Sequence, residues 1–487
     1  MTKAVALAIA VGAVLASGCT LAPPYVQPEA PVPDTWPTGT ACDEASEEQG
    51  APPPLELHWR DFLADPNLEA IVQSALASNR DLKLAALNVE RARVLYGIQR
   101  AELYPTLYAS ATGGEERVSA DFVAPGQPRT SEFHAVDLGV FAWEIDFFGR
   151  IRSLEAGALE AYLTTEQARH SVQILLVSSV ADAYLTLAAG REALALSQRT
   201  FQIQQEAYEI VQQRYDKGVA TELDLRRAQT PVEVARGDIA RYTQLAAQAE
   251  NALRLLVGAP VPDRLLPREL DQVAPPAQIR PGLSSEVLLS RPDILAAEHR
   301  LRGAYARIGA ARAAFFPRIS LTTTVGTASD ELSNLFSSGT GTWSYGPQIS
   351  MPIFDPQVWA AHRVSTVERD IAVAEYERAI QAAFREVADV LAVRETVDEQ
   401  VAAQEALVDA LAETYSLALC RYEAGVDSYL GVLDAQRSLF DAQQQLVSLR
   451  LLQRSNQIHL YAVLGGGWQS PSTGLDDRRA DETPAPQ

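Results

Sequence analysis

Six histidines and three cysteines are the residues of this 487-residue chain on which nucleophilic or metal chemistry would have to be built. The histidines, at 58, 134, 170, 299, 362 and 459, are scattered, and none forms the His-Glu-x-x-His spacing that sets two imidazoles on one helix face around zinc. Neither a Gly-x-Ser-x-Gly elbow nor a Walker loop is present. Gly465-Gly466-Gly467 is not a phosphate loop, because no Gly-Lys-Ser/Thr follows it. Met351 is the sole methionine besides Met1, which argues against a methionine-based path for soft metals. No catalytic, cofactor or metal site is expected, so the chain reads as a non-enzyme. One constellation stands out on spacing. Leu430 and Asp434 are four apart and share a helix face, and Arg437, three further on, is within reach of the Asp434 carboxylate or of a neighbouring helix. A solvated charge on a helix face is the plain alternative.

Cys19 has a different chemistry. Met1-Thr2-Lys3 is a short positive n-region, and Ala4 to Leu15 is a continuous apolar run of twelve residues. That run is too short to span a bilayer and suits a signal h-region. Leu15-Ala16-Ser17-Gly18-Cys19 then resembles a bacterial lipobox, with Ala16 where leucine is usual. In such a motif the thiol receives a diacylglyceryl group, cleavage frees the Cys19 amine and the amine is acylated. Several acyl chains give a stable anchor, at about 0.8 kcal/mol per buried CH₂. The alternative is an ordinary signal peptide with an incidental cysteine. Thr20 rather than Asp follows, which by resemblance to known lipoproteins favours sorting to the outer membrane. Three cysteines make no disulfide framework, and no bridge between Cys42 and Cys420 is expected. No other stretch reads as a transmembrane helix, so any membrane crossing must use strands.

The elements that position these residues come in two copies. Asp81-Leu82 and Tyr104-Pro105 align with Asp293-Ile294 and Phe316-Pro317 at an offset of 212. Arg214-Tyr215 and Gly218-Val219 align with Arg421-Tyr422 and Gly425-Val426 at 207, as do Ala228-Gln229 with Ala435-Gln436 and Leu253 to Gly258 with Leu460 to Gly465. Each half reads helix, two strands, very long helix, turn, helix. Arg150 to Tyr215 contains no proline and is rich in Ala, Leu, Glu, Gln and Arg, all strong helix formers. Its apolar residues recur at three and four, as in Leu159, Tyr162, Leu163 and Val177, Val180, Ala181, Tyr184, Leu185. The second half repeats this from Trp359 to Tyr422. Some 66 residues at 1.5 Å each make a rod of roughly 100 Å. Alanine-rich seams let such rods approach as in coiled coils.

The four candidate strands alternate with a period of two. Trp343, Tyr345, Ile349 and Ile353 oppose Ser344, Gln348 and Ser350; Gly139, Phe141, Trp143 and Ile145 share one face, opposite Glu144 and Asp146. Ile319, Leu321 and Val325 oppose Ser320, Thr322 and Thr324, and Leu107, Ala109 and Ala111 oppose Thr106, Ser110 and Thr112. An apolar face with aromatics near its ends and a polar face opposite is the pattern of a membrane barrel. A small soluble sheet packed on helices is the alternative. Four strands cannot close a barrel, whose smallest membrane form has eight; a shared barrel from three chains would have twelve.

Composition agrees with long helices: 47% hydrophobic but only 7% aromatic, with a formal net charge of −21. The acidic excess disfavours nucleic acid as a partner. Part of it sits in Asp43–Glu48 and the Asp476–Glu482 tail, which read as solvated loops.

Taken in order, Cys19 with Pro24-Tyr25, Trp59-Arg-Asp-Phe62 with Asp65-Pro66-Asn-Leu68, Trp143 to Gly149, Arg291 to Glu298, Ala313 to Pro317, Arg421-Tyr422 with Gly425-Val426, Leu433 to Arg437 and Leu464 to Trp468 resemble the outer-membrane efflux protein family (TolC/OprM-like) and its NodT-like lipoprotein branch. The resemblance spans nearly the whole mature chain. It implies a mainly α fold with a β-barrel segment: a homotrimer whose long-helix hairpins form a periplasmic α-barrel and whose strands, four per chain, form a twelve-stranded outer-membrane β-barrel. It also implies a periplasmic membrane-fusion adaptor and an RND-type inner-membrane pump as partners, with outer-membrane lipid around the barrel. The organisation expected is a lipoprotein signal (1–18), a lipid-anchored Pro-rich segment (19–66), a first repeat (67–260), a Pro-rich link (261–284), a second repeat (285–466) and a tail without regular structure (467–487).

On this resemblance Leu430, Asp434 and Arg437 are expected at the periplasmic aperture: three Asp434 carboxylates repel anions, and a ring of Leu430 resists wetting. Gly218, Val219, Thr221, Gly425, Val426 and Ser428 are expected at hairpin tips that meet the adaptor, with Thr221 and Ser428 as N-caps. Glycine present only to turn the chain is the alternative. The partner of Leu430 in the first half is Leu223, but that of Asp434 is Arg227, so the two hairpins are unlike. The function expected is the passive outer-membrane channel of a tripartite efflux system. A type I protein-secretion duct and a non-conducting coiled-coil lipoprotein are the alternatives. Apart from the covalent lipid on Cys19, an S-diacylglycerol and an N-acyl chain, no cofactor is expected.

Overall fold

The computed structural model describes residues 20–37, 57–279 and 284–466. Cys19, the signal segment, Cys42, Trp468 and the tail lie outside the described residues. The helices are α1 (Trp59–Phe62), α2 (Pro66–Ser78), α3 (Arg80–Ala101), α4 (Arg150–Asp216), α5 (Glu222–Val257), α6 (Pro292–Ala313), α7 (Pro356–Glu423) and α8 (Tyr429–Val463). The strands are β1 (Leu107–Arg117), β2 (Thr130–Ile145), β3 (Arg318–Ser329) and β4 (Gly341–Ser350). The duplication is visible in the lengths: α3 and α6 have 22 residues each, α4 and α7 have 67 and 68, α5 and α8 have 36 and 35.

One compact unit comprises 88–166 and 296–377 with the N-terminal segment up to Glu29. Its sheet is antiparallel in the order β1-β2-β3-β4, so β1 and β4 are the edges. Register places Leu107, Leu138, Val140, Trp143, Ile319, Leu321, Val325, Trp343, Tyr345 and Ile349 on one face. Trp343 is 80% exposed and Ile349 69%. The expected pattern holds on three strands and needs correction on β2. Between Val140 and Trp143 the pairing with β3 shifts by one residue, and Ala142 there adopts φ 51. The extra residue is a β-bulge. It moves Gly139 and Phe141 off the face of Trp143 and Ile145, and Leu138 and Val140 take their place. Phe141 instead lies edge-on to Tyr108 on the otherwise polar face, 6.0 Å between centroids. A strict period of two cannot foresee a bulge, because one inserted residue inverts everything before it. The N-terminal segment is strapped onto this unit: Tyr25 donates to Glu298 at 3.0 Å and meets the Tyr305 ring edge-on, and Gln27 donates to the Tyr376 hydroxyl at 3.1 Å.

The second unit comprises 30–87, 167–295 and 378 onward. α2 starts on Asp65, whose carboxylate accepts from the Asn67 and Leu68 amides at 2.9 Å. Phe62 and Tyr461 stack at 4.2 Å, and Arg291 ties Asp293, Glu386 and the Val463 carbonyl together. The core runs along α4 through Val180, Ala181, Tyr184, Leu185 and Ala188. One stretch of α4 does have the length and apolar composition of a membrane span, contrary to the reading from sequence. More than half of it is buried within the protein, which accounts for its composition as core. The inter-repeat link is no loose tether: Leu270 is buried, and Arg454 donates to the carbonyls of Leu270 and Val273.

Candidate functional site

Two helical hairpin tips in the second unit gather most of the residues singled out by spacing. At the first, α4 ends in a Schellman turn. Gly218 adopts φ 71, its N–H donates to the Tyr215 carbonyl at 2.8 Å, and the Val219 N–H donates to the Arg214 carbonyl at 2.8 Å. That left-handed conformation is what glycine supplies without Cβ strain. Val219 projects into solvent, 77% exposed. Thr221 then caps α5 in a reciprocal box: its hydroxyl accepts from the Asp224 N–H at 3.2 Å, and its own N–H donates to the Asp224 carboxylate at 3.1 Å. These bonds to Thr221 hold the Asp224 carboxyl below its ordinary pKa.

The second tip repeats the turn and not the cap. Gly425 has φ 71, and the Gly425 and Val426 amides donate to Tyr422 and Arg421 carbonyls at 2.9 and 3.0 Å. Ser428 occupies the N-cap with extended backbone, but its side chain makes no capping bond. The Gly431 N–H, which a capping hydroxyl would receive, donates to the Ser428 carbonyl at 3.3 Å instead, and Gly431 has no carboxylate to return a bond to the Ser428 N–H. A different device replaces it: Arg421 grips Asp427 through two bonds of 2.5 and 3.2 Å. The guanidinium lowers the Asp427 pKa.

The tips are tied to each other. Arg214 donates to the Tyr422 hydroxyl at 2.6 Å and lies over its ring. Tyr429 packs against Val211, Leu225 and Ala228, and burial pushes its pKa to about 12. Sequence reasoning missed this cross-link, although the repeat contained the signal. Arg214 aligns with Arg421, but Ala220 stands where the second repeat has Asp427, leaving Arg214 without a local carboxylate and free to reach across.

In the first turn of α8, Leu430 is 53% exposed, and further along Arg437 donates to Asp434 at 2.7 Å with both side chains largely in solvent. Leu430, Asp434 and Arg437 all border one groove between α5 and α8, together with Arg227 and Phe440. Cys420 is a free, exposed thiol in the last turn of α7. The six histidines stay dispersed, serving structure where they are paired: His459 with Asp182 at 2.6 Å, and His299 with Glu160 at 2.6 Å. The bond to Asp182 raises the His459 pKa.

Comparison with known proteins gives one consistent answer. The profile described as outer membrane efflux protein matches residues 71–259 and 283–466. The probable efflux pump outer membrane protein TtgC of Pseudomonas putida is 45% identical over 492 residues, covering 99% of this chain and 100% of that protein. The outer membrane protein OprJ of Pseudomonas aeruginosa is 41% identical, covering 96% and 95%. Among solved structures, the open state of the MtrE outer membrane channel of Neisseria gonorrhoeae superposes with a TM-score of 0.83 at 37% identity, covering 93% of this chain and 99% of that one.

Proposed function

The chain belongs to the outer membrane efflux protein family, and from that premise we propose that it works as a homotrimeric, lipid-anchored outer-membrane channel. It passively conducts substrates from a periplasmic adaptor and an RND-type inner-membrane pump to the outside. The observation that carries this is the sheet: four antiparallel strands with an exposed apolar face and two free edges. In a bilayer an unpaired edge leaves backbone groups without partners at several kcal/mol each, so the edges must be closed by other copies. Two copies would give eight strands, an interior just filled by side chains; three give twelve and leave a lumen. The names of the relatives favour efflux over protein secretion.

Three further details support the reading. The segment following Cys19 packs against the unit that bears the sheet, through Tyr25 and Gln27. This supports a lipid anchor on Cys19 in a chain whose sheet lies in the membrane. The tips expose Val219 and Val426 above glycine turns, an apolar surface suited to adaptor docking together with Gly218, Thr221, Gly425 and Ser428. Leu430 and Asp434 share a face of α8, and in a trimer they form an apolar ring and an acidic ring, with Arg437 tempering the acidic charge. The role is conduction, and no residue is assigned a catalytic step.

Single-channel recording of the mature lipoprotein in planar bilayers tests this. We expect small, cation-selective currents that grow severalfold and lose cation selectivity in Asp434→Ala, because the acidic ring is gone and the Arg437–Asp434 bond no longer holds the aperture residues in place. Silent bilayers with confirmed insertion would refute the channel; unchanged currents in Asp434→Ala and Leu430→Ala would refute the gate.

A further inference from the structure

The two hairpin tips match in shape and differ in charge. Each turns on a glycine at φ 71 and lifts a valine into solvent, Val219 77% and Val426 64% exposed. Most charged side chains around the turns are engaged. Arg214 donates to Tyr422, and Asp216 accepts from Gln212 at 2.9 Å. Glu222 pairs with Arg226 at 3.5 Å, Asp224 bonds to Thr221, and Arg421 holds Asp427. Two charges are left over. The Lys217 ammonium on the first tip and the Glu423 carboxylate on the second are exposed and have no partner among the described residues. The repeat explains both. Lys217 aligns with Ala424, so only the first tip has the cation. Glu423 aligns with Asp216, but Leu419 stands where the first repeat has Gln212, so only the second tip has a free anion.

The free charges therefore occupy two adjacent positions of one shared turn, an anion just before a cation, with the apolar knob two residues beyond the cation. We propose that both tips dock the adaptor in one pose, its apolar socket over the valine, a cationic side chain of the adaptor meeting Glu423 and a carboxylate meeting Lys217. The partner surface is thus an apolar socket bordered by one acidic and one basic group. A single kind of adaptor then satisfies both tips, using its carboxylate at the first and its cation at the second. Charges at the rim of an apolar contact select the partner, because a like charge placed opposite opposes docking. This rests on the adaptor docking proposed above and adds which charge each tip reads.

The test places the photo-cross-linker p-benzoylphenylalanine at Val219 or at Val426 of the full-length lipoprotein, in the cells from which the gene comes. Adducts are identified by mass spectrometry, and trimers are confirmed on native gels. The same adaptor peptide should be captured at both tips. Lys217→Glu should cut the adduct at Val219 about tenfold and spare that at Val426, and Glu423→Lys should do the reverse. Ala424→Lys, which gives the second tip the cation it lacks, should raise the adduct at Val426 severalfold. Lys217, Glu423 and Ala424 are exposed, so none of these changes disturbs packing. Adaptor adducts at both tips that ignore the charge changes, or different adaptor peptides at the two tips, would overturn the charge reading and leave docking intact. Losses at both tips in either reversal would also overturn it. No adaptor adduct at either tip of an inserted trimer would sink the docking proposal together with this one.

Discussion

At the scale of single residues, the tips rest on two glycines and one ion pair. Gly218 and Gly425 both have φ 71, where a side chain costs about 1–2 kcal/mol. Nothing lies within 4 Å of a Cβ built at either, so the cost of Gly→Ala is conformational and not steric. Gly218→Ala or Gly425→Ala should lower hydrogen-exchange protection of its own tip about tenfold and leave the other tip unchanged. Equal protection in the variants would show that the turns do not limit opening. The Arg421–Asp427 pair has a pH signature. Asp427 is depressed below its unfolded pKa by Arg421, so its contribution is fully present above the unfolded value. That contribution fades as pH falls through the lower folded one. Protection of the Val426 and Asp427 amides, corrected for intrinsic exchange, should hold between about pH 5 and 7 and fall below about pH 4. In Asp427→Asn it should be low and flat across the range. An acid-insensitive native tip would mean that the pair contributes nothing.

At the scale of elements, the two hairpins share a turn and differ in how the next helix begins. The Thr221–Asp224 box predicts that Thr221→Ala frays the start of α5, at about 1 kcal/mol for a lost cap. Ser428→Ala should leave α8 nearly untouched, because Ser428 makes no capping bond. Exchange rates of the first-turn amides of α5 and α8 check this, and equal losses at both would refute it. Here the legibility of the sequence is plain. The proline-free run from Arg150 announces α4, and Gly218 and Gly425 announce the turns, because local propensity and handedness decide them. Thr221 as a cap is also readable, but the silence of Ser428 was not, since it depends on the Gly431 N–H turning to the Ser428 carbonyl. The bulge at Phe141–Ala142 was not readable, since it depends on how β2 pairs with β3. The Arg214–Tyr422 bond joins residues 208 apart in sequence. Leu430, Asp434 and Arg437 were readable as one helix face; the groove beside them, with Gln204 from another helix, was not.

At the scale of the whole molecule, the unit bearing the sheet is incomplete by itself. β1 and β4 each offer an unpaired edge, 11 and 10 residues long. The helices adjoining those edges in sequence, α3 before β1 and α7 after β4, carry exposed apolar residues at helical spacing. These are Val94, Leu95 and Ile98 on the first and Val364, Val367 and Ile371 on the second. Closing β4 of one copy onto β1 of the next requires those two helices to meet across the same boundary, which removes their apolar side chains from water. Fully burying one such side chain is worth about 1.5–3 kcal/mol, and an unpaired carboxylate in its place is strongly unfavourable. Val367→Asp with Ile371→Asp should therefore yield monomers by light scattering in detergent, and no conductance. Phe122→Asp, in the loop between β1 and β2 and 84% exposed, should remain trimeric and conduct. A trimer that survives both aspartates would place the subunit boundary elsewhere. A monomer that still conducts would mean that four strands form a pore alone, which the backbone hydrogen bonding of a membrane strand does not allow.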